Sequence, residues 1–203
     1  MGVGVGRALL HMSMSVDGFI AGPNDGPGNG LGDGGECLHA WFMTPSDPDR
    51  KEVTKHLTGV NREVMDEVMA TGAVVVGGRT FALADEWGGD HHDGVPIFVV
   101  GRREPSAGQW PAVTYESDVA QAMRLAKDAA GGKDVLVHGA RTGQLALQQG
   151  VLDEVHIHMV PVLLGQGRRL FDNMPPDHIE LELLHAAEAP GVLHLRYRVR
   201  TGG

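Results

Sequence analysis

The chain has 203 residues, 42% of them hydrophobic, enough for one full core, and its length suits a single domain spanning 1–203. A net charge of −9 with scattered arginines argues against a nucleic-acid surface, which needs clustered Lys and Arg, so a cationic or nucleotide ligand has to be held locally. The lone Cys37 excludes an internal disulfide, the N-terminus lacks the apolar stretch of a signal peptide, and no apolar run approaches the ~20 residues of a membrane span; together these predict a cytoplasmic protein.

In chain order, Met1–Gly6 is glycine-rich but precedes the first strand, whereas a dinucleotide-binding glycine turn follows one. Arg7–Val16 alternates and predicts a strand with Ser13 and Ser15 on one face. Asp17-Gly18 ends its regular part and Phe19-Ile20-Ala21 continues it briefly. The glycine-dense stretch Gly22–Gly35 predicts a structureless lid that ligand contacts must order, and Trp41 and Phe42 after it either close over a planar ring or are ordinary core aromatics.

Asn61–Met69 carries apolar residues at helical spacing with Asn61 as the N-cap. Ala73–Val76 is a continuous β-branched run, as expected of a strand covered on both faces of a parallel sheet, and Gly77-Gly78-Arg79-Thr80 turns it into a short helix. Asp90-His91-His92-Asp93 reads as a solvated loop, since neighbouring histidines seldom converge on one metal ion unaided. Ile97–Val100 is another buried strand, ending at Arg102 and Arg103, whose planar guanidinium donors suit a phosphate monoester. Val113–Tyr115 is a short strand, and Asp118–Ala130 a helix with Asp118 and Gln121 in a capping-box pattern, stopped by Gly131-Gly132.

Asp134–Thr142, D-V-L-V-H-G-A-R-T, is a second junction of the Val74–Thr80 kind: a short strand, a glycine turn, and a helix opening at Thr142. Free amides at a helix N-terminus favour an anion, so two such turns suggest one long, polyphosphorylated ligand. Glu154–Met159 alternates, placing His156 and His158 on one face. With His11 or His138 they could bind zinc and make a hydrolase, but no acidic partner stands nearby and a polar sheet face is expected. Gly165 and Gly167 mark a loop able to approach a ligand, and Ile179–His185 with Val192–Arg200 forms a terminal antiparallel pair with one wet face.

The ordered set S-M-S-V-D-G-F-I-A (13–21), V-V-V-G-G-R-T-F (74–81), D-V-L-V-H-G-A-R-T (134–142) and D-E-V-H-I-H-M-V-P-V-L-L-G-Q-G-R-R-L-F (153–171) resembles the dihydrofolate reductase-like family. The similarity is to the branch holding the reductase domain of the riboflavin-biosynthesis deaminase–reductase. The resemblance implies an α/β fold with about eight strands in a mostly parallel mixed sheet, antiparallel C-terminal strands and flanking helices. It also implies a dimer and an NADPH-dependent reductase acting on a small, planar heterocycle, pterin-like or flavin-precursor-like. Gly78, Arg79 and Thr80 would hold phosphate, Arg102 the adenosine 2′-phosphate, and Gly139, Ala140, Arg141 and Thr142 the diphosphate. Ile20 and Ala21 would line the nicotinamide, with Ser13 nearby. Asp17 and His39 are the candidate proton donors and Trp41 the substrate-stacking residue. C-L-H-A-W-F lacks the carboxylate that dihydrofolate reductases use to bind the pterin, so the chain is not read as a folate enzyme. The alternative is a non-catalytic nucleotide- or ligand-binding member of the same fold.

Overall fold

The computed structural model describes residues 6–43, 55–101 and 109–200. Strands β1 (Ala8–Ser15) and β2 (Phe19–Ala21) lead to helix α1 (Gly59–Met69). Then come β3 (Ala73–Gly77), α2 (Gly78–Leu83), β4 (Ile97–Val100), β5 (Val113–Glu116), α3 (Val119–Ala129), β6 (Val135–His138), α4 (Ala140–Gln148) and β7 (Glu154–Val160). The chain closes with β8 (Arg168–Arg169), β9 (Leu181–Ala189) and β10 (Val192–Val199). Eight strands pair in the order β5-β4-β3-β6-β1-β7-β10-β9, while β2 and β8 form a separate two-stranded ribbon. Pairs from β5 through β7 are parallel, and β10 runs antiparallel to both β7 and β9.

The central strands are apolar throughout because both faces are covered. Val74 and Val76 pack with Phe81 of α2 and Val68 of α1 on one face, while Val75, Leu10 and Val137 pack with Met123 of α3 and Leu147 of α4 on the other. Each such fully buried side chain contributes about 1.5–3 kcal/mol of apolar burial. Helix α3 starts where expected: the Asp118 carboxylate accepts the Gln121 N–H at 2.9 Å, a cap worth about 1 kcal/mol.

Two helix starts differ from the sequence expectation. Helix α1 begins at Gly59, with Thr58 at the N-cap and Gly59 itself at φ 57°, so Asn61 lies inside the helix, buried. Helix α4 begins at Ala140, because Gly139 at φ 94° already turns the chain, and Thr142 is a buried residue of the first turn. The 90–93 turn is only partly solvated: Asp93 is exposed, but His92 is buried with its Nε2 3.2 Å from the Thr71 carbonyl, and the His91 ring packs on Trp87 and His138. Gly22–Gly35 is not structureless. Gly22 donates to the Leu31 carbonyl, Asp33 to that of Pro23, and Gly26 and Asn29 bridge one another. The Asp33 carboxylate ties Asn24 and Asn29 at 2.7 and 2.9 Å. Glycine is needed for this knitting: a Cβ on Gly32 would sit 2.2 Å from the Gly22 carbonyl oxygen.

Candidate active site

The two glycine turns meet. Val76 of β3 pairs with His138 of β6, so the next residues, Gly77 and Gly139, leave adjacent strands at the same edge of the sheet. Helix α2 then packs on one face and α4 on the other, so the chain diverges from the two turns at the strands' C-terminal ends. Open α/β sheets bind their ligands where successive helices diverge in this way. The approach is close in both directions: a Cβ on Gly139 would lie 2.6 Å from Thr80 Oγ1, and one on Gly77 would lie 2.7 Å from Thr142 Oγ1. Arg79 and Arg141 at these turns are exposed, whereas Thr142 and Ala140 are buried. Arg102 and Arg103 lie outside the described residues. A phosphate placed at these turns would meet the first-turn amides of the nine-residue α4.

The β2–β8 ribbon borders this edge. Ile20 and Ala21 are buried on β2, and Ile20 belongs to the same core as Leu170. Asp17 is held as an anion by its neighbours. Its carboxylate accepts from Ser15 Oγ at 2.6 Å and from the amides of Leu164 and Gly165 at 3.1 and 2.7 Å. The Ser15 hydroxyl first, and then these amides, pull its pKa down to about 2, so the group carries no proton near neutrality and clamps the segment after β7. His39 closes a 3-10 turn and its ring packs 5.0 Å from that of Phe42. Asp25, in the glycine-dense loop, holds two guanidiniums: Arg79 Nη2 at 3.0 Å and Arg168 Nη2 at 2.9 Å. Sequence reasoning singled out neither Asp25 nor Arg168, because their partnership joins segments far apart in the chain.

Trp41 is 8% exposed and is not an open stacking platform. Its Nε1–H donates to Ser13 Oγ at 2.9 Å, and its ring packs on His158 and His194 with centroids 5.0 and 4.9 Å away. Beneath it a row of buried imidazoles crosses the sheet: the polar face expected of Glu154–Met159 is turned inward, and His194, on the face expected to be wet, is buried with it while Arg198 is exposed. Asn61 Nδ2 donates to the carbonyls of Trp41 and Pro190, so its Oδ1 must accept from His194 Nε2 at 2.8 Å. His194 Nδ1 then accepts from His158 Nδ1 at 2.8 Å, and His158 Nε2 accepts from His11 Nδ1 at 3.2 Å. Burial, followed by the neighbouring imidazoles or Arg196, pushes all three pKa values below the ordinary histidine value and keeps the rings neutral. Among the described residues no group of 3 or more His, Cys, Asp or Glu is arranged to hold a metal. His156 instead bonds Glu154 at 2.9 Å, the acidic partner that the alternating pattern alone did not suggest.

A separate cavity of about 320 Å³ opens at the opposite edge, lined by Arg7, Lys133, Asp134, Glu67, His156 and Arg196 among others. Of its lining residues Arg7 pairs with Asp134 and with Glu154, and Arg196 with Glu67. It is remote from the glycine turns, because β1 and β6 begin beside it and end at the opposite edge, where the turns lie.

The sheet order, the antiparallel end strands and the helices on both faces define a dihydrofolate reductase-like fold. Residues 8–195 match the RibD C-terminal domain, and the chain belongs to that family. Among solved structures, a protein of Shewanella sp. PV-4 assigned to riboflavin biosynthesis superposes with a TM-score of 0.69 at 18% identity, covering 96% of this chain and 99% of that one. The Thermotoga maritima diaminohydroxyphosphoribosylaminopyrimidine deaminase/5-amino-6-(5-phosphoribosylamino)uracil reductase gives 0.63 at 14% identity, over 96% of this chain and 57% of that one. Dihydrofolate reductase from Enterococcus faecalis, complexed with NADP(H), gives 0.59 at 12% identity, over 98% and 99%. No curated protein matches the chain. Among the described residues no helix is long and apolar enough to cross a membrane.

Proposed function

We propose that the chain is an NADPH-dependent reductase that passes a hydride to a small, planar heterocycle. The observation that carries this reading is the meeting of the two glycine turns at one edge of the sheet, where Gly77 and Gly139 leave no room for a Cβ against Thr142 and Thr80 and the first-turn amides of α4 lie beside them. The α4 first turn, Gly139 to Thr142, holds the diphosphate, with Gly78, Arg79 and Thr80 facing it; Ile20, Ala21 and Ser13 border the nicotinamide. The cofactor, when bound, supplies the hydride, and the protein's work is positioning and exclusion of water. Because Asp17 is held ionised, His39 is the remaining candidate to pass a proton to the product.

The same proposal includes a homodimer formed by the C-terminal strands. Leu181, Leu183 and Leu193 are 42%, 56% and 37% exposed. They share a sheet face with Leu195, Tyr197 and Val199. An apolar face of this kind marks an association surface.

Fluorescence titration with NADPH and NADH tests the cofactor assignment. One charge-assisted contact to the 2′-phosphate is worth about 1.5–3 kcal/mol, so NADPH is expected to bind at least about tenfold tighter. Equal dissociation constants reject the assignment. Tight binding without oxidation of NADPH by pterins, flavin precursors or carbonyl compounds favours a binding protein of the same fold.

A further inference from the structure

We infer that the cavity between the C-terminal end of α1 and the N-terminal ends of β1 and β6 is a second ligand site, which takes a small amino acid as its zwitterion. The inference does not rest on the reductase reading, because this cavity lies at the sheet edge away from the glycine turns.

A buried nitrogen with nothing to bond sets the cavity apart from a surface ion-pair network. His156 is one of its lining residues and is 3% exposed. Its Nε2 lies 2.9 Å from Glu154 Oε2, and an ionised carboxylate only accepts, so that nitrogen carries the hydrogen. Burial lowers the pKa of the ring more than Glu154 raises it, which keeps the ring neutral and leaves Nδ1 as a lone pair. Nδ1 meets no donor among the described residues. A buried acceptor left unmet is costly, so this position calls for a donor from outside the chain.

The charged groups of the wall differ in what they have left to offer. Asp134 is used on both oxygens by Arg7, whose backbone N–H reaches Oδ1 at 2.7 Å and whose Nη2 reaches Oδ2 at 2.6 Å. Glu154 is filled in the same way, by Arg7 Nη1 at 2.8 Å and by His156. Glu67 meets Arg196 through Oε2 alone, which leaves Oε1 as a second spare acceptor. Ala70 and Thr71 bring the C-terminal end of α1 to the same wall, and this is the negative end of the helix dipole. Lys133 is the opposite case: it is exposed and makes no ion pair among the described residues, so its ammonium is a spare donor.

The cavity therefore has two poles. His156 Nδ1, Glu67 Oε1 and the end of α1 favour hydrogens and positive charge, whereas Lys133 favours an anion. Counting Glu154, which Arg7 and His156 share, the cations Arg7, Lys133 and Arg196 are balanced by the carboxylates Glu67, Asp134 and Glu154. Such a balance suits a dipolar molecule of no net charge better than a free anion or cation. The volume of about 320 Å³ is at the small end of ligand pockets, which run roughly 300–1,000 Å³. An α-amino acid meets each of these demands, its ammonium donating to His156 Nδ1 and Glu67 and its carboxylate facing Lys133.

Titration calorimetry with L-alanine, propionate and ethylamine tests the site, since propionate lacks the ammonium and ethylamine lacks the carboxylate. Alanine is expected to bind the wild-type protein at least about tenfold tighter than either fragment, and Lys133→Gln to weaken alanine by a similar factor while leaving ethylamine unchanged. Lys133 is exposed, so this variant should fold as the wild type does. A second readout needs no variant: the nitrogen resonance of His156 Nδ1 should move when alanine is added and stay in place with propionate, because only alanine brings a donor to the lone pair. Alanine that binds no tighter than its fragments, an unchanged alanine affinity in Lys133→Gln, or an unmoved His156 resonance overturns the site. None of these readouts involves NADPH, so the outcome is separate from that of the cofactor titration.

Discussion

A Cβ on Gly139 would lie 2.6 Å from the hydroxyl of Thr80, so the turn after β6 reaches the first turn of α2 only while position 139 has no side chain. The same residue sits at φ 94°, where an L side chain is strained. Gly139→Ala is therefore expected to cost about 1–3 kcal/mol from backbone strain alone. For a chain of this size that lowers the melting temperature by about 2–4 °C per kcal/mol. NADPH affinity should fall as the two turns are pushed apart. Thermal melts and cofactor titration check both, and a variant that melts and binds like the wild type removes the close approach.

Acid should unfold the protein early. Burial pushes His138 and His194 down to about 4, and it carries His11 and His158 well below the ordinary value. In the unfolded chain each titrates near 6.5. Unfolded protein then binds more protons than folded protein as pH falls below about 6.5, so this contribution is complete above that pH. It is lost progressively toward about 4. Urea midpoints measured across this window should fall steadily, and the slope should shrink in His194→Gln, which removes one of these groups. A flat profile from pH 7 to 5 contradicts the buried, neutral row.

Trp41→Ala should act on stability more than on ligand binding. The indole is buried, donates to Ser13 and roofs His158 and His194, so its removal leaves a cavity over polar rings. Losses of about 3–5 kcal/mol are usual for such a truncation. Chemical denaturation gives the magnitude. A variant of wild-type stability with selectively weakened substrate would return Trp41 to the stacking role.

Leu183→Glu places a charge on the exposed face of β9. We expect light scattering to change from a dimer mass to a monomer mass at micromolar concentration, with the circular dichroism spectrum retained. A wild-type protein that is already monomeric at that concentration ends the dimer proposal.

The strands of the parallel sheet were legible in the sequence because runs such as Val74 to Val76 have only one way of being buried, and Asp118 announced its helix by a local hydrogen bond. The glycine turns were legible for the same reason: their chemistry lies within a few consecutive residues. What escaped was every relation across the chain. Asn61 has the composition of a cap, yet its amide is used by Trp41, Pro190 and His194, and this draws it inside α1. His156 and His158 alternate as a wet strand face does, and only the pairing of β7 with β1 and β10 under Trp41 turns that face inward. Asp25 and Arg168 are separated by more than half the chain, so no local pattern links them.

The imidazole row also carries information without moving. Asn61 commits both amide hydrogens to backbone carbonyls, and that choice sets which nitrogen of His194, then of His158, then of His11 bears the hydrogen. At the far end His11 Nε2 is left a bare lone pair, with no partner among the described residues. An isosteric acid at position 61, once protonated, could offer a hydrogen where the amide offers only an oxygen, and every ring in the row would exchange donor for acceptor. Three strands away, the lone pair at His11 would become an N–H while each heavy atom kept its place, so the polarity of the sheet's interior is written by a single side chain on a helix outside it.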